Sequence, residues 1–215
     1  VYIQRKPRSL VEHLGTGRQY NINSKRGNLQ ILFSRDRAEN ILYKNDVAAF
    51  AENMDYIESA NCNYVIIAPA YMIYVQDYSE ALESHIQSGA DISLMYHAVD
   101  NAKEHYLSCN ILNLNRQKGV ESIEANRGTA KNRNIFMDTY IMKKELFMDL
   151  VKQARKLSSM YTLHDIVNSK CSELDVRAIS HHGYFASITD FKSYYDANMS
   201  LIDFKTAEEV FQEEW

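Results

Sequence analysis

Arg127, Lys131 and Arg133 fall within one polar loop. Guanidinium and ammonium groups so spaced can hold a phosphorylated ligand through charge-assisted hydrogen bonds. A solvated charge run is the plainer reading of the same residues. Gly15-Thr16-Gly17 offers the glycines of a phosphate-cradling turn. Such a turn follows a strand and opens a helix, whereas this pair closes one, so it does not read as a nucleotide loop. His181 and His182 are adjacent, and neighbours on a strand point to opposite faces, so they do not share a metal ion. Phe185, Phe191, Tyr194 and Tyr195 could stack on a base or sugar, although aromatics at helical spacing default to core. No Ser-His-Asp or Cys-His arrangement follows from spacing.

The elements that must position these groups read as one α/β domain. The chain has 215 residues, 46% of them hydrophobic, with 24% charged and a formal charge of −4. That is enough apolar material for a sizeable core and gives no basic stripe for nucleic acid. The longest apolar run, near residues 64–70, is far short of a membrane span. Cys62, Cys109 and Cys171 are odd in number and widely spaced, which argues against a disulfide framework or structural zinc and fits a reducing, cytoplasmic setting.

Pro7 with Leu10, Val11 and Leu14 predicts a short helix closed by Gly15. Residues 29–33 read as a strand, and Val47, Phe50, Met54 and Ile57 as one helix. Residues 64–68 form an apolar run that suits a strand buried on both faces. Asp77 can cap a helix over 78–88 that Gly89 closes, and a strand over 92–96 follows. This alternation predicts βαβ units and a largely parallel sheet. Strands over 107–114 and 120–124, a segment 135–142 running into a helix to about 157, a helical piece at Asp165, strands over 176–181 and 184–188, and a helix capped by Asp190 make the sheet mixed.

Residues 64–78, Y-V-I-I-A-P-A-Y-M-I-Y-V-Q-D-Y, followed by L-E-S-H-I-Q-S-G-A-D over 82–91, resemble the strand, turn and helix that read Y-V-L-I-L-S-G-D-H-I-Y-x-M-D-Y in glucose-1-phosphate adenylyltransferases. Residues 183–199, G-Y-F-A-S-I-T-D-F-K-S-Y-Y-D-A-N-M, are similar to that family's G-Y-W-x-D-V-G-T-x-x-S-Y-x-x-A-N-M. His13-Leu14-Gly15 and residues 23–29 fit its opening loop. The resemblance implies a Rossmann-like nucleotidyltransferase core over 1–205. It also implies that 206–215 lead toward a C-terminal β-helix, and that both the β-helix and an N-terminal glycine-rich loop are missing from these residues.

The departures carry the functional expectation. Where the resemblance places the two aspartates that hold magnesium, this chain has Tyr71 and Ser187, which lack the charge to gather phosphates. The lysine that meets the phosphate of glucose 1-phosphate falls on Asn126, the S-M-G turn on Phe136-Met137-Asp138, the F-G pair on Leu107-Ser108 and the nucleotide-contacting G-T-A on Asn45-Asp46-Val47. The pattern resembles the non-catalytic GlgD branch of the family. It implies a regulatory subunit of glycogen synthesis with no catalytic residues and no metal of its own, paired with a catalytic ADP-glucose pyrophosphorylase subunit in a hetero-tetramer. A sugar-phosphate or nucleotide effector at Arg127, Lys131 and Arg133 would fit that role. Two alternatives stand beside it: an active adenylyltransferase using displaced carboxylates at Asp77, Asp138 or Asp190, and a non-reacting module that binds sugar phosphate or sugar nucleotide through Tyr71 and Phe136.

Overall fold

A computed structural model describes residues 2–3, 7–15, 29–33, 46–157 and 162–211. The chain divides into two compact units, one of Val1–Asn61 with Met148–Ile166 and the other of Cys62–Phe147 with Val167–Trp215.

In the first unit, β1 (Tyr2–Ile3) pairs in parallel with β2 (Leu32–Phe33), and α1 (Pro7–Leu14) lies between them in sequence. Gly15 closes α1 at φ +52°, its N–H donating to the Val11 carbonyl at 2.8 Å, so the glycine ends the helix as expected. The single helix expected around Val47 to Ile57 is two, α2 (Asp46–Glu52) and α3 (Met54–Ser59). Asn53 separates them. Its side-chain amide donates back to the Ala49 carbonyl at 3.0 Å, and such local bonding competes with the helical ladder.

The second unit holds the main sheet. Its strands are β3 (Tyr64–Ile67), β5 (Ile92–Val99), β6 (Asn110–Leu114), β7 (Val120–Ala125), β8 (Arg133–Lys143) and β9 (Val176–His181), and β4 (Met72–Tyr74) pairs separately with β10 (Phe185–Ser187). Helix α4 (Tyr78–Ser88) follows β4, α5 (Lys144–Lys156) continues from β8, and α6 (Leu163–Lys170), α7 (Phe191–Ser200) and α8 (Phe204–Val210) complete the described helices. The strand order is β7-β6-β8-β5-β9. Strand β8 runs antiparallel to β5 along one edge, and on its other edge meets β6 at Ile135 and β3 over 140–143. The mixed α/β architecture stands, a central sheet flanked by helices. The parallel pairing that the alternation suggests is confined, among the described strands of this sheet, to β5 and β9.

Strand β3 differs from expectation. Among the described strands it pairs with β8 alone, and Ile66 is 37% exposed, so it is not buried on both faces; a continuous apolar run cannot by itself distinguish partial from full burial. Strand β5 is the one buried through residues 92–96. Met95, Ile135, Met137 and Ile141, all with no exposed surface, anchor the core with Met72, Ala81, Ile111 and Phe185. Helix α4 follows its sequence signals: the Asp77 carboxylate accepts from Ser79 N–H, and Gly89 closes the helix at φ +68°. Its buried His85 is tied by Nδ1 to Ser93 Oγ of β5 at 2.8 Å.

One irregularity shapes the site. Opposite β8, register moves from Leu94↔Tyr140 to Tyr96↔Phe136, so Met137, Asp138 and Thr139 bulge against Met95. Asp138 takes φ +46° there, a left-handed backbone that glycine adopts freely and aspartate tolerates. The resemblance puts a glycine at this position.

Candidate functional site

The ribbon of β4 and β10 brings the first two expected positions together. Ser187 is the register partner of Met72, and Ile188 N–H donates to the Tyr71 carbonyl at 2.7 Å, which extends the pairing by one residue. The β8 bulge aims Asp138 at the same place, where its carboxylate accepts the Tyr71 hydroxyl proton. Ser187, 6% exposed, accepts from the Cys109 thiol at 3.3 Å. Phenol, carboxylate, thiol and hydroxyl therefore form one cluster.

Its electrostatics follow from burial and one charge. Burial first, and then the Asp138 carboxylate, pushes the Tyr71 phenol well above its usual range. Burial also raises the Cys109 thiol, against a lowering hydrogen bond from Ser187 and with Asp138 adding to the rise. Both groups are neutral at physiological pH, which leaves Asp138 to supply the cluster's negative charge. Magnesium, the ion the resemblance implies, wants hard anionic oxygens in open octahedral geometry. The donor set here does not fit it: Tyr71 and Ser187 are neutral, and an oxygen of Asp138 is taken by the phenol. Among the described residues, no group of three or more His, Cys, Asp or Glu side chains is placed to hold a metal. The other proposed carboxylates are committed elsewhere. Asp77 caps α4, and Asp190 caps α7 through a reciprocal pair with Ser193.

Asn126 has turned inward. At 3% exposure its amide nitrogen donates to the carbonyls of Ala102, Tyr106 and His105 at 2.9, 3.0 and 3.2 Å, and its oxygen accepts Gly128 N–H at 3.1 Å. It clamps the loop over 102–106 and cannot reach a ligand. Gly128 is required beside it: at φ +66°, a Cβ would lie 2.9 Å from the Lys103 carbonyl oxygen. Leu107 and Ser108, next along, border a cavity of about 280 Å³ together with Ser187, Glu104, Tyr184 and Asp196.

Other positions fall differently. Phe136 and Met137 have no exposed surface, so they neither fill a pocket nor offer a ring to a ligand; as neighbours on a strand they point to opposite faces, and β8 is buried on both there. Val47 is buried, and Asp46, its carboxyl raised chiefly by burial, accepts from Val47 N–H and from Leu163 N–H at the start of α6, both at 2.9 Å. Asn45 lies outside the described residues, as do Thr16 and Gly17. Arg127 and Lys131 are exposed, whereas Arg133 is half-buried and donates to Thr129 Oγ1 at 3.0 Å. His181 is buried and His182 exposed, in keeping with opposite faces. The aromatics of α7 are not core: Phe191 is 82%, Tyr194 51% and Tyr195 53% exposed. That helix buries Ala197 instead. Cys109 carries no signal in the sequence that would have placed it in the cluster. No helix among the described residues is long and apolar enough to cross a membrane.

A family model described as nucleotidyl transferase matches residues 1–203. The chain is 28% identical over 223 residues to a glucose-1-phosphate adenylyltransferase of Clostridium perfringens, covering 100% of this chain and 55% of that protein. It is 26% identical over 208 residues to one of Mycoplasma mobile, covering 94% of this chain and 54% of the relative. The chain thus spans about half the length of the curated relatives it matches. Among solved structures, HddC from Yersinia pseudotuberculosis complexed with GMP-PN superposes with a TM-score of 0.67 at 16% identity, over 93% of this chain and 76% of that one. At that identity the likeness speaks for the fold.

Proposed function

Since the chain belongs to the nucleotidyl transferase family, we propose that it is a catalytically silent, regulatory core of the glucose-1-phosphate adenylyltransferase type, of the GlgD kind, acting in the cytoplasm on glycogen synthesis. In this reading it assembles with a catalytic subunit as a hetero-tetramer. The observation that carries the proposal is the closed cluster at the ribbon. Tyr71 donates to Asp138 and Ser187 accepts from Cys109, at the two positions where the resemblance places metal-holding carboxylates. Phosphoryl transfer depends on positioning and on neutralising phosphate charge. A site whose acceptors are satisfied by neutral internal donors supplies neither. Asn126 supports the same reading from the sugar-phosphate side, because its amide is consumed by backbone carbonyls.

Exposed Arg127 and Lys131, on the loop that Asn126 anchors, are the cations we assign to a phosphorylated effector. The cavity beside Leu107 and Ser108 favours a second reading, in which a sugar phosphate or sugar nucleotide binds without reacting. Assaying the purified protein alone with magnesium, ATP and glucose 1-phosphate separates these from an active enzyme. No pyrophosphate release above the buffer rate is expected, and addition to a catalytic relative is expected to change that relative's rate or effector response. Turnover by the protein alone sinks the proposal. An unchanged partner, with calorimetric binding of ADP-glucose to this protein, favours the second reading.

A further inference from the structure

The ribbon that carries Tyr71 and Ser187 rests on the main sheet through two imidazoles. His97 of β5 and His181 of β9 are register partners on parallel strands, and their Nδ1 atoms lie 3.1 Å apart. His181 Nε2 is 3.1 Å from the carbonyl of Val75, the residue after β4. A carbonyl only accepts, so Nε2 carries the hydrogen; a neutral His181 then has a bare Nδ1, which accepts from His97 Nδ1–H. The ribbon packs on these rings. Phe185 of β10 stacks on His97 at 5.0 Å, Tyr74 of β4 meets His181 at 5.5 Å with an interplanar angle of 66°, and Tyr106 stacks on Phe185 at 5.7 Å.

We propose that this histidine pair is a proton-operated latch: neutral, it docks the β4–β10 ribbon on the sheet, and protonated twice, it releases the ribbon together with Tyr71 and Ser187. The order of protonation follows from the tautomers. A first proton can settle on His97 Nε2 and leaves the Nδ1–H donor in place. A second must enter at His181 Nδ1, which turns the acceptor into a donor facing a donor and sets two cations with ring centres 5.4 Å apart. The titratable groups facing the pair are His182 just after β9, Tyr74 of β4 and Glu209 of α8, while Phe185 of β10 is apolar. Glu209, whose carboxylate accepts Tyr184 N–H at 2.5 Å, favours a charged His181.

The opposing influences set the direction. Burial, with the charges of His181 and His182, pushes His97 below its ordinary value against a hydrogen bond to the His181 backbone; burial and His182 do the same to His181, against the Val75 carbonyl and Glu209. A histidine whose folded value is depressed contributes stability above the unfolded value of about 6.5 and loses it as pH falls through the folded value. Docking is therefore firm at neutral pH and weakens on acidification, whether or not the site turns over a substrate.

Amide hydrogen exchange, corrected for the intrinsic pH effect, tests this through Ile188 N–H, which joins β10 to the Tyr71 carbonyl. Between about pH 7.5 and about pH 5.5 its protection should fall by about tenfold or more, while amides of β8 beside Ile141 keep theirs. In His181→Gln, whose amide can donate to Val75 and accept from His97 without titrating, the loss should be clearly smaller than in the parent, because only burial and His182 still oppose the charging of His97. Equal pH dependence in the parent and this variant, or none in the parent, overturns the latch. Ring titration by NMR on the parent gives an answer that needs no variant. Two coupled steps below about 6.5 are expected for His97 and His181, and a His181 already charged at neutral pH overturns the assignment.

Discussion

Asn126→Lys, which puts back the residue that the family resemblance places there, is expected to lower the stability of the fold by about 3–5 kcal/mol and to add no affinity for glucose 1-phosphate. The reason lies in where the amide points. Its two hydrogens serve three carbonyls, of Ala102, His105 and Tyr106, and its oxygen takes the N–H of Gly128. Lysine has donors and no acceptor, so the buried Gly128 N–H is left unpaired at a cost of about 1–3 kcal/mol. An ammonium at a position 3% exposed adds the desolvation of a charge with no carboxylate to meet it. Denaturant unfolding and calorimetry with glucose 1-phosphate read the two effects separately. A variant as stable as the parent that also binds the sugar phosphate would show that the side chain swings outward, and would weaken the case for a silent site.

That position also marks how far the residues alone could be read. Local signals served well. Asp77 and Gly89 bound α4, and β9 spans 176–181, because caps and short apolar runs are fixed by neighbours in sequence. What failed depends on distant partners. Ile66 stands 37% exposed within an unbroken apolar run, and Asn53 breaks a helix by bonding to Ala49. Phe191, Tyr194 and Tyr195 share a helical spacing that reads as core, yet α7 buries Ala197. The positions of Tyr71 and Ser187 were legible as a pair, since the resemblance places the two metal-holding carboxylates there. Their chemistry was not. The phenol's partner, Asp138, reaches it only because β8 bulges into a left-handed backbone at that residue. Asp138 itself was legible as a replacement for glycine, which is what such a backbone prefers.

The bulge decides the outcome of the most direct repair. Tyr71→Asp combined with Ser187→Asp returns both carboxylates, but places them beside Asp138, which the resemblance's glycine would not have charged. Position 187 is 6% exposed and in contact with Cys109, so in the absence of metal the new carboxylates repel one another and Asp138. A loss of about 3 kcal/mol is expected, with at least one carboxyl raised above its usual range. Magnesium or manganese binds the folded form and offsets much of this loss. Cation at about 100 times its dissociation constant returns about 2.7 kcal/mol. The measurement is unfolding with and without the metal, set against the parent, whose stability should not respond. Turnover is not expected to follow, because Asn126 still faces inward and no cation replaces it on the sugar-phosphate side. Pyrophosphate release by the double variant at a rate near that of a catalytic relative would show instead that the missing carboxylates were the whole defect.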